Sequence, residues 1–152
     1  MKPMLNDLMK LIKDKRPDLA EALLPGLSIK DFEGFNTDIP ADLRVLWAWC
    51  NGQSQSFYGN FHSKTNEMLM PLEVSLEVRE ELNELQESGD IPPDNWNYDW
   101  FPFTENGGGN YMCLSQKTSE IFYYDKYGAS TGQKFGSFDS WLKDLYDGYE
   151  AL

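Results

Sequence analysis

The chain has 152 residues, is 41% hydrophobic and 14% aromatic, and carries 13 basic against 25 acidic side chains for a net charge of −12. That length favours one domain spanning residues 1–152, with apolar material for a core that buries roughly 68–70% of the unfolded chain's surface. The acidity argues against nucleic acid and anionic membranes, which are bound through Lys and Arg, and suits a basic partner.

Leu5, Leu8, Met9, Leu11 and Ile12 recur at helical spacing with Lys10, Lys13 and Asp14 opposite them, which predicts a first amphipathic helix. Pro17 ends it or opens a further turn, and Leu24-Pro25-Gly26 reads as a break. Ser28 with Asp31 three residues on has the form of a helix N-cap. Pro40 fits the first position of a stronger helix with Leu43, Leu46, Trp47 and Cys50 inward. Gly52 then reads as its left-handed C-cap. Residues 53–65 are polar with isolated aromatics and read as short strands or an irregular loop. Met68 to Met70 reads as a strand. A Glu-rich helix follows from about Ser75 to Gln86, stopped at Ser88-Gly89, and residues 90–99 are a loop marked by Pro92-Pro93.

Trp100 to Leu114 reads as a hairpin at the centre of the sheet. Two apolar arms flank Asn106-Gly-Gly-Gly-Asn110, residue types that tolerate positive φ. The three glycines are read alike, so Gly108→Val is expected to destabilise the fold. Residues 120–124 and 133–135 supply two more strands, and Ser137 caps a last helix with Phe138, Trp141, Leu142 and Leu145 inward. The order predicts an α+β fold: a central antiparallel sheet of about four to six strands packed with N-terminal, middle and C-terminal helices.

Chemistry is sparse. The single histidine, His62, sits in a polar stretch and reads as a surface or packing residue. Cys50 and Cys113 fall on apolar faces, show no metal spacing and do not form the framework of a secreted scaffold. Neither Gly107-Gly-Gly-Asn110 nor Gly128 to Lys134 has the order of a phosphate loop. Residues 94–99 lack the calcium-loop pattern. Carboxylates are so abundant that any chosen glycosidase-like pair is uninformative. We therefore expect no catalytic residue, no cofactor and no metal. The N-terminus is too polar for a signal peptide and no apolar run approaches the ~20 residues of a membrane span, so a cytoplasmic location is expected.

One stretch stands apart. Residues 73–99 hold nine acidic residues against one basic residue, Arg79, a net −8, whereas residues 1–30 carry +2. Two readings compete: a solvated helix face, or a docking surface for a basic protein. On the second, the candidate contacts are Glu77, Glu80, Glu81, Glu84, Glu87, Asp90, Asp94 and Asp99, with Trp96 and Tyr98 as aromatic anchors. Trp96, between two asparagines, reads as the better anchor, and Trp100 reads as core.

Leu24-Pro25, Ile39-Pro-Ala-Asp-Leu43, Trp47, Asn51-Gly52, Trp100-Phe-Pro-Phe103, Gly107-Gly-Gly-Asn110, Cys113-Leu114 and Ser137-Phe-Asp-Ser-Trp-Leu142 stand in an order that resembles the SUKH superfamily, the group of the Smi/Knr-type cell-wall assembly regulator, over about residues 20–146. Ser115 departs from it, because members often carry Asp after the Cys-Leu pair. The resemblance implies an α+β fold and a non-catalytic binding role. Bacterial members are cytoplasmic immunity proteins that neutralise a toxin, often a nuclease; fungal members are regulatory scaffolds. Pro40, Gly52, the turn glycines and Trp141-Leu142 match its structural positions. The expected function is therefore immunity against a basic toxin domain, with an endogenous scaffold as the alternative and a carboxylate hydrolase as a third. The oligomeric state is left open.

Overall fold

A computed structural model describes residues 2–152. The helices are α1 (Lys2–Lys15), α2 (Pro17–Ala22), α3 (Ile29–Glu33), α4 (Ala41–Trp49), α5 (Leu72–Glu87) and α6 (Phe138–Glu150). The strands are β1 (Leu23–Pro25), β2 (Cys50–Gln53), β3 (Met68–Leu69), β4 (Trp100–Glu105), β5 (Tyr111–Ser115), β6 (Ile121–Tyr124) and β7 (Gly132–Phe135). Strands β3 to β7 form one antiparallel sheet in sequence order, and β1 pairs antiparallel with β2 in a separate ribbon. The fold is α+β with N-terminal, middle and C-terminal helices, as the alternation of elements suggested.

Both faces of the large sheet are covered. That is why its strands read as near-continuous apolar runs rather than clean alternations. Phe101, Phe103, Met112, Leu114 and Ile121 belong to the main core with Leu8, Leu46, Trp47, Trp141 and Leu145 from α1, α4 and α6. Trp100, Cys113 and Tyr124 belong to a second cluster, closed by Leu82 of α5 and by Ile91 and Trp96 of the following loop. Pairing of Phe101 with Leu114 and Pro102 with Cys113, with the register slipping at Phe103, sets which ring faces which layer. Ser28 caps α3 in a reciprocal box with Asp31, and Ser137 caps α6 through the Ser140 N–H. Caps of this kind are worth about 1 kcal/mol each.

Several boundaries differ from the sequence reading, each for a packing reason. Leu23–Pro25 is a strand, because β2 lies beside it and offers backbone partners. Pro40 is the residue before α4, not its first residue. Helix α4 stops at Trp49, and Cys50 is already extended. Gly52 does adopt φ +75°, but inside β2 rather than as a helix cap. A Cβ there would lie 2.5 Å from the Pro71 nitrogen, so the passing chain demands glycine. Helix α5 starts at Leu72, three residues earlier than expected, because Leu72 and Ser75 face inward and Ser75 Oγ donates to Pro102 O.

The glycine turn also departs from expectation. Gly107 and Gly109 have φ +80° and +88°, whereas Gly108 does not need positive φ and a Cβ there would meet only the Asn106 side chain. Asn106 Oδ1 organises the turn by accepting from the Gly108 and Asn110 N–H groups at 2.8 and 3.1 Å. In urea unfolding, Gly52→Ala is expected to lose about 2 kcal/mol or more. Gly108→Ala should change stability by less than about 0.5 kcal/mol.

Candidate functional site

The two cysteines and the histidine are committed to structure. Cys50 and Cys113 are free, buried thiols. Burial pushes Cys50 up to about 12 and Cys113 well above the usual thiol range, so both stay protonated at neutral pH. His62 is 3% exposed, a packing residue rather than a surface one. Its Nδ1 accepts the Lys64 N–H at 3.1 Å, so Nε2 carries the proton and donates to Asp144 Oδ2 at 3.1 Å. Tyr149 Oη donates to Phe61 O nearby. Together these bonds latch the 61–67 loop to α6.

Glu67 sits beside this latch, 7% exposed, and accepts from Thr65 Oγ1 at 3.0 Å. Burial pushes its carboxyl above the ordinary range; Thr65 and His62 pull it back, and Asp144 adds to the rise. A raised folded-state pKa means that the charged form burdens the fold. The burden is absent below the ordinary Glu value near 4.3 and grows as pH rises through the folded value. Glu67→Gln, which keeps the Thr65 hydrogen bond, should therefore raise the melting temperature at pH 7–8 and leave it unchanged near pH 4.

The acidic stretch is built differently. Val78, Leu82 and Leu85 turn the apolar stripe of α5 onto the sheet. Leu72 and Ser75 face inward at its start, and on the outer side Glu77, Glu80, Glu81, Glu84 and Glu87 are all exposed. Asp90 and Asp94 extend the row along the following loop, and Asp99 is half-buried at its end. None of these eight carboxylates takes part in an ion pair among the described residues, whose pairs lie on other elements. Among the described residues the one basic residue of the segment forms no ion pair with them, although Asp99 lies close enough to favour its charged form. Arg79 stacks 4.0 Å from the Phe101 ring centroid and donates through Nη2 to Tyr98 O.

The loop carrying Asp90 to Asp99 is held in place by α5. Gln86 Nε2 donates to the carbonyls of Pro93 and Trp96, and Trp96 Nε1 donates to Asn83 Oδ1 at 2.8 Å. Asn95 Nδ2 reaches Asp125 O on the turn after β6. The loop carboxylates therefore stand on a segment braced against α5 and the turn after β6. Among the described residues no group of three His, Cys, Asp or Glu side chains converges as metal ligands, and the row splays outward rather than around a centre.

Of the two aromatic anchors, Tyr98 is 45% exposed and Trp96 only 2%. Trp96 is a core residue. It packs edge-on against Trp100 and Tyr124, both at 5.6 Å between centroids. The asparagines beside it mark the tight loop that carries it inward, not a wet environment. A second exposed aromatic beside the row is Tyr127, 86% exposed on the turn after β6 and lining a groove with Glu81 and Asp90. A solvent-facing turn tyrosine next to Gly128 was the available signal. Trp96→Ala is expected to cost about 3–5 kcal/mol in denaturant unfolding, the cost of a large core deletion. Tyr98→Ala should stay within about 0.5 kcal/mol.

Comparison with curated proteins gives no match. The family model described as the SMI1 / KNR4 family (SUKH-1) matches residues 28–144, from the cap of α3 to the middle of α6. This range contains the whole five-stranded sheet, the β2 strand and α5. Helix α1 and strand β1, which complete the core and the small ribbon, lie outside it. The match covers well over half of the chain, and the protein belongs to the SMI1/KNR4 (SUKH-1) family.

Proposed function

We propose that this protein is a non-catalytic immunity protein. It works as a single domain in the cytoplasm and neutralises a cognate toxin by covering the toxin's basic surface with the carboxylate row of α5. Membership of the family supports a protein-binding role. No helix among the described residues is long and apolar enough to cross a membrane.

The observation that carries this reading is the unneutralised row. Eight carboxylates stand on one braced helix and loop without an ion pair of their own among the described residues. Glu77, Glu80, Glu81 and Glu84 lie three and four residues apart, so their repulsion costs a few tenths of a kcal/mol per pair in the free protein. A basic partner relieves that repulsion on binding. A nuclease toxin suits the role, because a protein that grips phosphates presents Lys and Arg. Charge complementarity of this kind speeds encounter and selects the partner.

Titration calorimetry with the toxin domain encoded beside this gene tests the reading. Changing Glu77, Glu80, Glu81 and Glu84 together to Lys is expected to weaken binding by about tenfold or more, with the melting temperature retained. A merely solvated face predicts undiminished binding, and that result overturns the proposal. If no toxin-like gene neighbours this one, the endogenous-scaffold role becomes the better account.

A further inference from the structure

A groove of about 280 Å³ runs beside the carboxylate row, between α5 and the turn that follows β6. It is smaller than the sites that hold drug-sized ligands, roughly 300–1,000 Å³, and suits a single side chain. Val78, Leu82 and Leu85 line it from the helix, and Tyr111 and Tyr124, stacked at 6.1 Å, line it from the sheet. Glu81 and Asp90 supply carboxylates, and Tyr127 supplies an exposed ring. The turn presenting Tyr127 is fixed, because Asp125 accepts from the Tyr127 and Ser130 N–H groups, each at 2.9 Å.

An apolar channel rimmed by carboxylates and ending at an aromatic face matches one chemistry, a long apolar stem with a planar cation at its tip. The protein's own Lys126 already places its ammonium 5.9 Å from the Tyr127 ring centroid, so a cation is at home there. The Tyr111 hydroxyl is pushed up to about 12, by burial first and then by Glu105 and Glu81, which marks the wall as negative.

Resting on the reading of the carboxylate row as the partner surface, we propose that this groove receives one arginine side chain of the basic partner. Its stem lies on Leu82 and Leu85. Its guanidinium meets Glu81, Asp90 and the Tyr127 ring and displaces the Lys126 ammonium.

The test is an amide NMR titration of the full chain with N-acetyl-arginine methylamide. Saturable shifts confined to Leu85, Gly109, Tyr111 and Tyr127 are expected. Glu81→Gln with Asp90→Asn should weaken the probe about fivefold, and Tyr127→Ala, at an exposed site, by a similar factor. Lys126→Ala should tighten it about twofold. Unsaturable shifts spread over Glu77, Glu84 and Glu87, or equal affinity for N-acetyl-lysine methylamide, overturn the proposal. If the arginine probe fails while the α5 charge reversal still abolishes toxin binding, the groove assignment alone falls. If the reversal leaves toxin binding intact, the underlying reading falls with it.

Discussion

The side-chain amides of Asn51 and Gln53 hold the two β-structures together. Both are buried, at 6% and 1% exposure. Asn51 Oδ1 accepts the Leu72 N–H and Gln53 Oε1 accepts the Leu69 N–H, each at 2.9 Å. Gln53 Nε2 donates to Phe57 O and Gly59 O. Trp47 Nε1 closes the same seam on Met70 O at 2.8 Å. These bonds satisfy backbone groups where β3, only two residues long, gives way to α5. Left unpaired in the core, each such group costs about 1–3 kcal/mol. Gly52 sits between the two amides because only a residue without a Cβ lets the Met70–Pro71 backbone pass so close. The start of α5, and with it the direction of its outer face, is fixed at this seam.

From there the layering follows. The large sheet carries apolar side chains on both faces and must be covered twice. Helices α1, α4 and α6 cover one face with the larger core. Helix α5 adds Leu72 to that core and, with its loop, covers the other face with a smaller cluster around Trp96, Trp100 and Tyr124. A helix that closes a small cluster has a narrow apolar stripe and a wide outer surface, and α5 fills that surface with glutamate. The charge asymmetry of the sequence thus becomes a directional property of the molecule.

Much of this was legible in the residues. Periodic apolar positions gave α1, α4 and α6, cap chemistry gave Ser28 and Ser137, and the aromatic runs around the glycine turn gave the centre of the sheet. What the sequence withheld was long-range. Cys50 to Gln53 has no strand pattern and becomes a strand because Leu23 to Pro25 lies beside it. Trp96 looked solvent-facing because its neighbours in sequence are polar, while its neighbours in space are rings. His62 sits among polar residues yet is buried, because Asp144, 82 positions later, offers it a partner. The outward face of α5 was readable from helical spacing alone. Tyr127 and its groove were not, because they arise where the turn after β6 folds back beside α5.

The account of function reduces to one claim: a fixed, unpaired carboxylate surface meets a basic protein. Electrostatic attraction between such surfaces acts at long range and is screened as the Debye length shrinks. The most direct measurement is the association rate of this protein with the neighbouring toxin domain as a function of salt. The account predicts a rate that falls by about tenfold or more between about 20 mM and about 500 mM NaCl, with the dissociation rate changing much less. An association rate that is flat across that range would contradict it.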